Sequence, residues 1–406
     1  MPVDLESLRA PDYELGDPPR LWAWLLILLL VMGGGAGLTL YLWPADAPAS
    51  GWRFWTCLLG LPFVVYLLLF ALRMRDLESW RNQLYLEEQA RQEVEQNNIQ
   101  FGQQPLSLRY GVAWSAAGDL AQTLASVQTL PLLASALAHG HRDEVVRHTH
   151  LPDKDQLDWQ AAPEERMSQR IEDALDKAME SLQPALRALP PQWPLHVELQ
   201  IDTDGVAVDV IALWRRQWAW RELQPAPASE TLVAANGMAR LDSWLDQSAP
   251  KHYQCARLII AAQFYERPPA NSAEAVCAVL LAWPQGEDED RLHRPVSSQG
   301  RAADAVLAET LLFSGCEPAQ LTALWSATGQ NDAPWNAALS QQQPRAAVLS
   351  VDHQIGHAGV AAEWLALLLA WQAAGPDTPQ GFLTRHGEHD AMQGFVYKES
   401  GHAAQT

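Results

Sequence analysis

The residues best placed for acid–base chemistry in this sequence lie in the run VDHQIGHAGVAAEW, at positions 351–364. His357 stands where a buried helix pattern begins, and His353 lies four residues before it. An imidazole in this place can act as a general base when other groups orient it toward a substrate. Because the sequence offers His357 few such partners, we expect it to be a satisfied polar residue, with His353 as the alternative base.

The cysteines, which could supply a nucleophile, have apolar surroundings. Cys57 lies in a hydrophobic segment, Cys255 begins an apolar run, Cys277 lies within another, and Cys316 falls in a turn. Cysteine in such surroundings behaves as a small hydrophobic side chain. We therefore expect structural cysteines, kept reduced in the cytoplasm because none forms a close pair or a CxxC motif.

A second polar cluster, HGHRDEVVRHTH at positions 139–150, contains four histidines and two acidic residues. Imidazoles and carboxylates bind metals, but this spacing matches no recognised ligand set, and Arg142 and Arg147 would repel a cation. We predict a polar surface loop that holds no metal, and we expect no cofactor elsewhere in the chain.

Composition and charge exclude several classes of protein. The chain has 406 residues, with 48 Asp and Glu against 28 Lys and Arg, and a formal net charge of −20 at pH 7. Without a basic block it is unsuited to the nucleic-acid backbone. A hydrophobic fraction of 48% excludes disorder over most of the chain.

Two uncharged segments near the N-terminus, residues 21–43 and 54–72, are each long enough to cross a bilayer. The acidic start of the chain and the presence of a second segment argue against a cleaved signal peptide. Tryptophan and tyrosine residues near the segment ends suit the membrane–water interface. We predict a transmembrane two-helix hairpin that contacts the lipid bilayer through these two segments.

Basic residues beside the hairpin predict its orientation. Arg9 and Arg20 precede the first segment and Arg73 and Arg75 follow the second, whereas only Arg53 lies in the connection. By the positive-inside rule, we expect both termini and the soluble region to be cytoplasmic.

The soluble region is predicted to be a layered α/β protein. A polar connector helix at 76–98 leads away from the membrane. In the first half, we predict a strand at 107–114, helices at 116–137 and 164–189, and a strand pair at 196–216 that turns at Asp204-Gly205.

The second half begins after a Pro- and Ser-rich stretch at 224–231, interpreted as a domain edge. The predicted organisation is a tail and hairpin at 1–75, a connector helix and first α/β half at 76–225, and a second half at 226–406. Within the second half we predict buried strands at 255–264 and 275–283, a helix at 302–313 and a buried helix at 363–372.

Three stretches of this second half resemble, in order and spacing, the thiolase-like fold of ketoacyl synthases. They are SAEAVCAVLL at 272–281, LLFSGCEPAQLTALWSATGQND at 311–332 and VDHQIGHAGVAAEWLALLLAW at 351–371. In that family these places hold an EGA-type strand, a HGTGT loop followed by Asp, and a Lys before a GHxxxAA motif that opens a buried helix. The resemblance implies a thiolase-like layered α/β fold.

The positions that correspond to these motifs are Ser326, Thr328, Gly329, Asp332, Asp352, Gly356 and His357. Ser326 replaces the loop histidine, Asp352 replaces the lysine, and residues 225–245, where the nucleophile is expected, contain no cysteine. A thioester enzyme needs a thiolate beside groups that stabilise charge on the carbonyl oxygen. We therefore expect a vestigial site without catalytic residues.

A membrane-anchored, degenerate thiolase-like chain of this kind is similar to the type VI secretion lipase-adaptor family of Gram-negative bacteria. That resemblance implies a non-enzymatic protein of the inner membrane. Such a protein binds a lipase effector in the cytoplasm and helps to load it on the secretion spike protein.

Two alternatives stay open from the sequence. An acyl-transferring thiolase-like enzyme would need a cysteine and His357 in one pocket. A general inner-membrane assembly platform would instead bind envelope proteins. The residues also do not distinguish one duplicated soluble domain from two.

Overall fold

The structure is a computed structural model that describes residues 21–44, 51–129, 136–152, 160–223, 226–233, 237–247, 254–286, 289–329, 332–342, 345–376, 378–386 and 390–398. Its internal contacts divide the chain into two compact units, Val3–Asn98 and Ile99–Thr406.

The first unit is built from long helices. Helix α1 spans Leu21–Leu42, and a continuous second helix consists of α2 (Trp52–Trp55), a π-helical turn (Thr56–Gly60) and α3 (Leu61–Gly102). By length and composition, both helices could cross a bilayer. The predicted connector helix is confirmed, and it continues the second apolar segment without a break.

The two apolar helices pair in opposite directions. Trp24 meets Phe70 edge to face at 5.2 Å between ring centroids, and Trp43 meets Phe54 at 5.0 Å. Between them, a Cβ added to Gly35 would lie 2.2 Å from Pro62 Cγ, so this position requires glycine. Contacts that run from the start of one helix to the end of the other make the pair an antiparallel hairpin.

The second unit contains strands and shorter helices. Its strands are β1 (Leu106–Ser115), β2 (Gly118–Asp119), β3 (Ala136–His139), β4 (Val145–Thr149), β5 (Leu195–Asp202), β6 (Ser229–Leu232), β7 (Ala256–Gln263), β8 (Ser272–Ala273), β9 (Ala275–Ala282), β10 (Arg291–Leu292), β11 (Val296–Ser297), β12 (Ala323–Ala327), β13 (Ala347–Ser350), β14 (Gln380–His386) and β15 (Asp390–Tyr397). Its helices after α3 are α4 (Leu120–Thr129), α5 (Pro163–Arg187), α6 (Val210–Trp220), α7 (Ala239–Leu245), α8 (Ala303–Ser314), α9 (Ala333–Gln342), α10 (Val351–Ile355) and α11 (Ala362–Ala373).

Among the described residues, twelve of these strands form one mixed sheet. The order is β13-β12-β14-β15-β10-β1-β9-β7-β5-β6, with β11 paired to β15 and β2 paired to β1. Strands β6, β5 and β7 run parallel, as do β13, β12 and β14, whereas β9, β1 and β15 are antiparallel to their neighbours. Strands β3, β4 and β8 form a separate small sheet.

Helices pack on both faces of the twelve-stranded sheet, and one of them, α11, contacts strands from both of its halves. Helix α11 packs on β9 and on β12 and β14, in one hydrophobic cluster that also holds residues of α4 and α7. Helix α5 packs on β1 and β9, and helix α6 packs on β5 and β6, in a second hydrophobic cluster, while α8 and α9 pack beside β15 and β13. Helices packed against a mixed sheet confirm the predicted layered α/β architecture.

The strongest apolar patterns were predicted correctly. Strands β7 and β9, helix α8 and the buried helix α11 lie where expected, as do β1 and α5 in the first half. All eight residues of β9 are buried, since helices cover the sheet on both sides. Strands from both sides of residue 225 pair with each other, because β5 lies between β6 and β7.

The strand pair predicted at 196–216 is wrong. Its first part is β5, which pairs in parallel with β6 and β7, and its second part is helix α6, whose N-cap Asp209 accepts a hydrogen bond from the backbone N–H of Ala212. The buried residues of α6 follow helical spacing: Val210, Leu213, Trp214, Gln217 and Trp218. Packing on α5 and the sheet therefore outweighed the turn signal of Asp204-Gly205.

Three other local predictions also need correction. The helix predicted at 116–137 contains α4 (Leu120–Thr129), its residues 130–135 lie outside the described residues, and Ala136–His139 is a strand. The histidine-rich run is not simply a surface loop, because β4 crosses it and buries His148. Part of the expected domain edge at 224–231 is strand β6, whereas residues 224–225 lie outside the described residues.

Candidate functional site

A cavity of about 720 Å³ opens where the small sheet meets the start of α11. The described residues that line it are Arg147, His148, Thr149, Ala270, Asn271, Ser272, Gly329, Asp352, His353, Ile355, Gly356, His357 and Arg385. Four predicted site positions are among them, namely Gly329, Asp352, Gly356 and His357. The size is that of a small-molecule site.

His357 is held by hydrogen bonds at its ring and its backbone. Its Nδ1 lies 3.1 Å from Asp352 Oδ1, and Asp352 Oδ2 accepts a hydrogen bond of 2.5 Å from the backbone N–H of Gly329. The His357 N–H donates to the Asn271 carbonyl at 2.9 Å. One carboxylate therefore ties the start of α11 to the turn that follows β12.

Gly356 is required by the backbone at this point. Its φ is +95°, and a Cβ placed there would lie 2.6 Å from the Ser272 carbonyl oxygen. A left-handed φ combined with so close a backbone approach admits only glycine without strain. The glycine of the Gly-His pair thus allows the chain to pass beside β8 and turn the imidazole toward the cavity.

Opposing effects act on the pKa of His357. Burial lowers it, but the hydrogen bond and negative charge of Asp352 outweigh burial, so the pKa rises above the ordinary histidine value. An imidazole whose Nδ1–H is directed at a carboxylate could exchange a proton through Nε2.

Ser326, Thr328 and Asp332 form a buried group behind the cavity. Asp332 Oδ1 accepts hydrogen bonds from Ser326 Oγ at 2.6 Å and from Thr328 Oγ1 at 3.2 Å. None of the three is among the described lining residues. They hold the end of β12 against α9 and are not positioned to contact a ligand in the cavity.

The structure adds site residues that the sequence analysis did not assign. His148 Nδ1 lies 2.8 Å from Ser272 Oγ, and burial lowers the pKa of His148. Arg147 and Arg385 line the same cavity from β4 and β14. His148 and Thr149 are consecutive buried residues at the end of β4, where β4 pairs with β8, and no alternation along β4 signals this tertiary pairing.

No cysteine occurs among the described residues that line the cavity. Cys255, Cys277 and Cys316 are all buried, and burial raises the pKa of each thiol. The Cys277 thiol faces the Ala361 carbonyl at 3.7 Å. Thiolate formation is disfavoured at all three positions.

The expected nucleophile region leads into α7. The backbone N–H of Met238 donates to Glu363 Oε2 at 2.8 Å, and a Cβ on Gly237 would collide with this carboxyl group. Burial raises the pKa of Glu363 to about 7. A buried carboxyl group from α11 therefore occupies the space in front of α7. Residues 234–236, which also belong to this region, lie outside the described residues.

Within the described parts of the chain, no group of three or more His, Cys, Asp and Glu residues is arranged to hold a metal ion. His139 and His148 lie on different strands of the small sheet, paired to other partners.

Solved structures similar to this chain are ketosynthases. The ketosynthase from module 6 of the bacillaene synthase from Bacillus subtilis 168 matches with a TM-score of 0.51 at 11% identity, over 72% of this chain and 70% of that one. The fold is thiolase-like. Ketosynthase twelve from the bacillaene polyketide synthase in Bacillus amyloliquefaciens matches with a TM-score of 0.50 at 8% identity, over 74% of this chain and 76% of that one.

A PfaC keto synthase–chain length factor is a more distant match, with a TM-score of 0.47 at 11% identity, and this chain covers 43% of its length. No protein-family model and no curated protein matches the sequence. At identities this low, the structural similarity establishes the ketosynthase-like fold only. Fold alone does not determine activity.

Proposed function

We propose that this chain is a non-enzymatic adaptor of the bacterial inner membrane, which binds a lipase effector in the cytoplasm and helps to load it on the type VI secretion spike protein. The observation that supports this most is a ketosynthase-like fold whose His357 cavity has no cysteine among its described lining residues. A thioester-forming enzyme needs a reactive thiol at that place.

The membrane and surface properties agree with this proposal. Two helices long and apolar enough to span a bilayer precede the layered α/β unit, so an anchored protein can present its soluble surface to partners. The charge of −20 would keep such a surface soluble and selective for complementary partners.

Affinity purification of the tagged full-length protein from its own cells, in mild detergent, tests the proposal. We expect mass spectrometry to identify a lipase-like toxin or a secretion spike protein. Recovery of envelope proteins alone would favour the assembly platform and contradict the adaptor.

A matched pair of variants makes this experiment sharper. His357→Gln removes the imidazole of the cavity, and Trp220→Ala removes a side chain that is 72% exposed on α6. If the chain acts by binding, His357→Gln should retain the effector. Loss of effector recovery with His357→Gln, but not with Trp220→Ala, would assign binding to the cavity instead of the outer surface.

The second candidate is an acyl-transferring enzyme, which the His357–Asp352 pair in an open cavity favours. Incubation of the full chain with acyl-coenzyme A thioesters, followed by intact-mass and peptide mass spectrometry, tests it. We expect no acyl adduct on Cys255, Cys277 or Cys316, since these three thiols are buried. A stoichiometric adduct on Cys255, Cys277 or Cys316 that disappears in His357→Gln would establish the enzyme instead.

A further inference from the structure

A second cavity, of about 390 Å³, lies between α5 and strands β1 and β9. Trp114 of β1 and Val276 of β9, which are direct cross-strand partners, both line it, and so does Phe264, just after β7. These three side chains belong to the hydrophobic cluster of α5 and α6, whereas α11 belongs to the other cluster. No described residue lines both this cavity and the His357 cavity, so the two are separate sites.

One buried carboxylate holds three sides of this second cavity together. Glu274 accepts two hydrogen bonds from the Arg170 guanidinium of α5, at 3.0 and 2.5 Å. It also accepts the backbone N–H of Leu151, which follows β4, and that of Tyr265, which follows Phe264, both at 3.0 Å. Because the chain itself supplies all these donors, the walls of the cavity are fixed before a ligand enters.

The other charged side chains around the cavity are engaged within the protein or solvated. Asp176 accepts a hydrogen bond of 2.5 Å from Arg221, and Asp173 also interacts within the protein. The Lys177 ammonium lies 5.0 Å from the ring centre of the β1 tryptophan. Glu180 is exposed, where water can solvate it. A charged ligand would therefore have to displace a contact that already exists.

The surface that the cavity offers to a ligand is mainly hydrocarbon. Leu151 and Ala174 are half-buried and Pro152 is exposed, so all three present apolar atoms to the open side. Trp114 and Phe264 are almost fully buried and complete the apolar wall. Since a charge buried against such a wall without a partner is strongly disfavoured, the cavity selects for ligands that carry none.

We propose that this second cavity binds a small uncharged apolar molecule between α5 and the sheet. An apolar cavity of about 150 Å³ can hold benzene, and this one is more than twice as large, which suits a ligand of about two fused rings or an alkyl chain of similar volume. Fixed, mostly apolar walls are the usual character of a small-molecule site. The site uses neither His357 nor a partner protein, so it goes beyond the adaptor role and is independent of it.

Photolabelling of the full chain in neutral detergent tests the site, with an uncharged aryl diazirine as the probe and peptide mass spectrometry as the readout. We expect saturable labelling of peptides that contain Trp114, Leu151 or Ala174. Labelling of the apolar segments 21–43 and 54–72, which the detergent surrounds, should rise without saturation and serves as the internal reference.

Competition defines the chemistry of the ligand. Excess indole or 1-octanol should suppress the saturable labelling. Stronger suppression by indole identifies an aromatic ligand, and stronger suppression by 1-octanol identifies an aliphatic one. Tryptamine and indole-3-acetate carry opposite charges on the same ring system, and both should suppress labelling less than indole does.

A matched pair of alanine variants locates the binding. Ala174 and Ala185 are both half-buried on α5 and pack on the same hydrophobic cluster, but of the two only Ala174 lines this cavity. Ala174→Leu should fill part of the cavity and weaken labelling about tenfold, the scale on which a hydrophobic pocket responds to added methylene groups. Ala185→Leu should leave labelling unchanged. Lys177→Gln, at an exposed position, should also retain it, because the ligand carries no charge.

Three outcomes would overturn the proposal. The first is labelling of these peptides that does not saturate, or that indole and 1-octanol both leave unchanged. The second is suppression by tryptamine or indole-3-acetate that equals that by indole, or loss of labelling in Lys177→Gln, since a charge would then recruit the ligand. The third is equal labelling in Ala174→Leu and Ala185→Leu, with circular dichroism showing that both variants fold.

A further variant covers the case in which Ala174→Leu does not fold. Leu151→Ala removes part of the wall at a half-buried position and should weaken labelling about tenfold, and unchanged labelling would contradict the site. None of these results bears on recovery of the effector, so this inference and the adaptor proposal can fail separately.

Discussion

Helices α7 and α11 pack in the same hydrophobic cluster but differ in the polar groups at their first residues. The chain enters α11 through Gly356 and His357, which keep the backbone turn and the imidazole of the Gly-His motif. It enters α7 through Gly237 and Met238, where Glu363 of α11 accepts the Met238 N–H. Both helices bury their apolar residues in the same cluster.

Two separate requirements apply to these helices, one for packing against the sheet and one for the chemistry of the site. Packing of α7 and α11 against the sheet requires large apolar residues in both, and both have them. Thioester chemistry would require a thiol in front of α7, and the described structure holds a buried carboxyl group there. The two helices therefore meet the same packing requirement with different polar groups at their starts.

Removing the largest side chain of each helix should have the largest effect. Trp364 of α11 and Trp244 of α7 are both almost fully buried. We expect Trp364→Ala and Trp244→Ala each to lower the free energy of unfolding by about 3–5 kcal/mol. Urea unfolding of the detergent-solubilised chain measures this, with the exposed Trp220→Ala changing it by less than about 0.5 kcal/mol. A negligible effect of Trp244→Ala would mean that α7 is not part of the core.

The carboxyl group between the two helices should make stability depend on pH. Because the folded pKa of Glu363 is raised to about 7, the folded state binds the proton more tightly than the unfolded chain. Stability from this group is therefore present at low pH and is lost as pH rises from about 5 to 8, by about 3 kcal/mol.

Glu363→Gln should remove that loss while keeping an acceptor for Met238. Its stability relative to the parent should increase between pH 5 and pH 8, as measured by urea unfolding at each pH. Glu180→Gln, at an exposed position of α5, is the control and should follow the parent. Parallel pH profiles for Glu363→Gln and the parent would show that Glu363 does not carry the effect.

The turn into α11 can be compared with a turn that is free of close contacts. Gly356 and Gly205 both have positive φ, but a Cβ on Gly205 would meet nothing within 4 Å. Gly205→Ala should cost about 1 kcal/mol from backbone strain alone. Gly356→Ala should cost about 2 kcal/mol more because its Cβ also meets the Ser272 carbonyl. Equal losses in urea unfolding would mean that the contact with β8 is dispensable.

The smallest effect should come from the ion pair itself. In Asp352→Asn, burial acts on His357 without the opposing carboxylate, so the pKa of His357 should fall below its ordinary value. The raised pKa in the parent stabilises the fold at low pH and loses that effect as pH rises through it.

Proton NMR titration of His357 measures the shift, and unfolding at pH 5.5 should show a loss of about 1 kcal/mol. Asp143→Asn, at an exposed position, should change neither quantity. An unchanged pKa of His357 in Asp352→Asn would contradict the pairing seen in the structure.

The elements that the sequence predicted correctly are those with long, unambiguous apolar patterns. Strands β7 and β9 and helix α11 are apolar over nearly their whole length, and α5 has a strong helical repeat of buried residues. Where the pattern was short, as at 196–216, a turn signal predicted a strand pair, and the packing surface of the sheet selected a helix instead.

The candidate site shows the same division. Gly329, Asp352, Gly356 and His357 could be named from the resemblance to ketoacyl synthase motifs, and they lie within one stretch of about 30 residues. Arg147, His148 and Arg385 could not, because they reach the cavity only through the pairing of β4 with β8 and of β14 with β12.

By itself, the sequence determined two apolar helices, a layered α/β unit and the Gly-His turn into its buried helix, because local patterns and backbone preferences encode these features. The tertiary structure decided that two distant arginines share a cavity with His357, and that Glu363 lies before α7. Such contacts join residues from separate strands and helices, and their positions follow from how the layers pack, which no local pattern specifies.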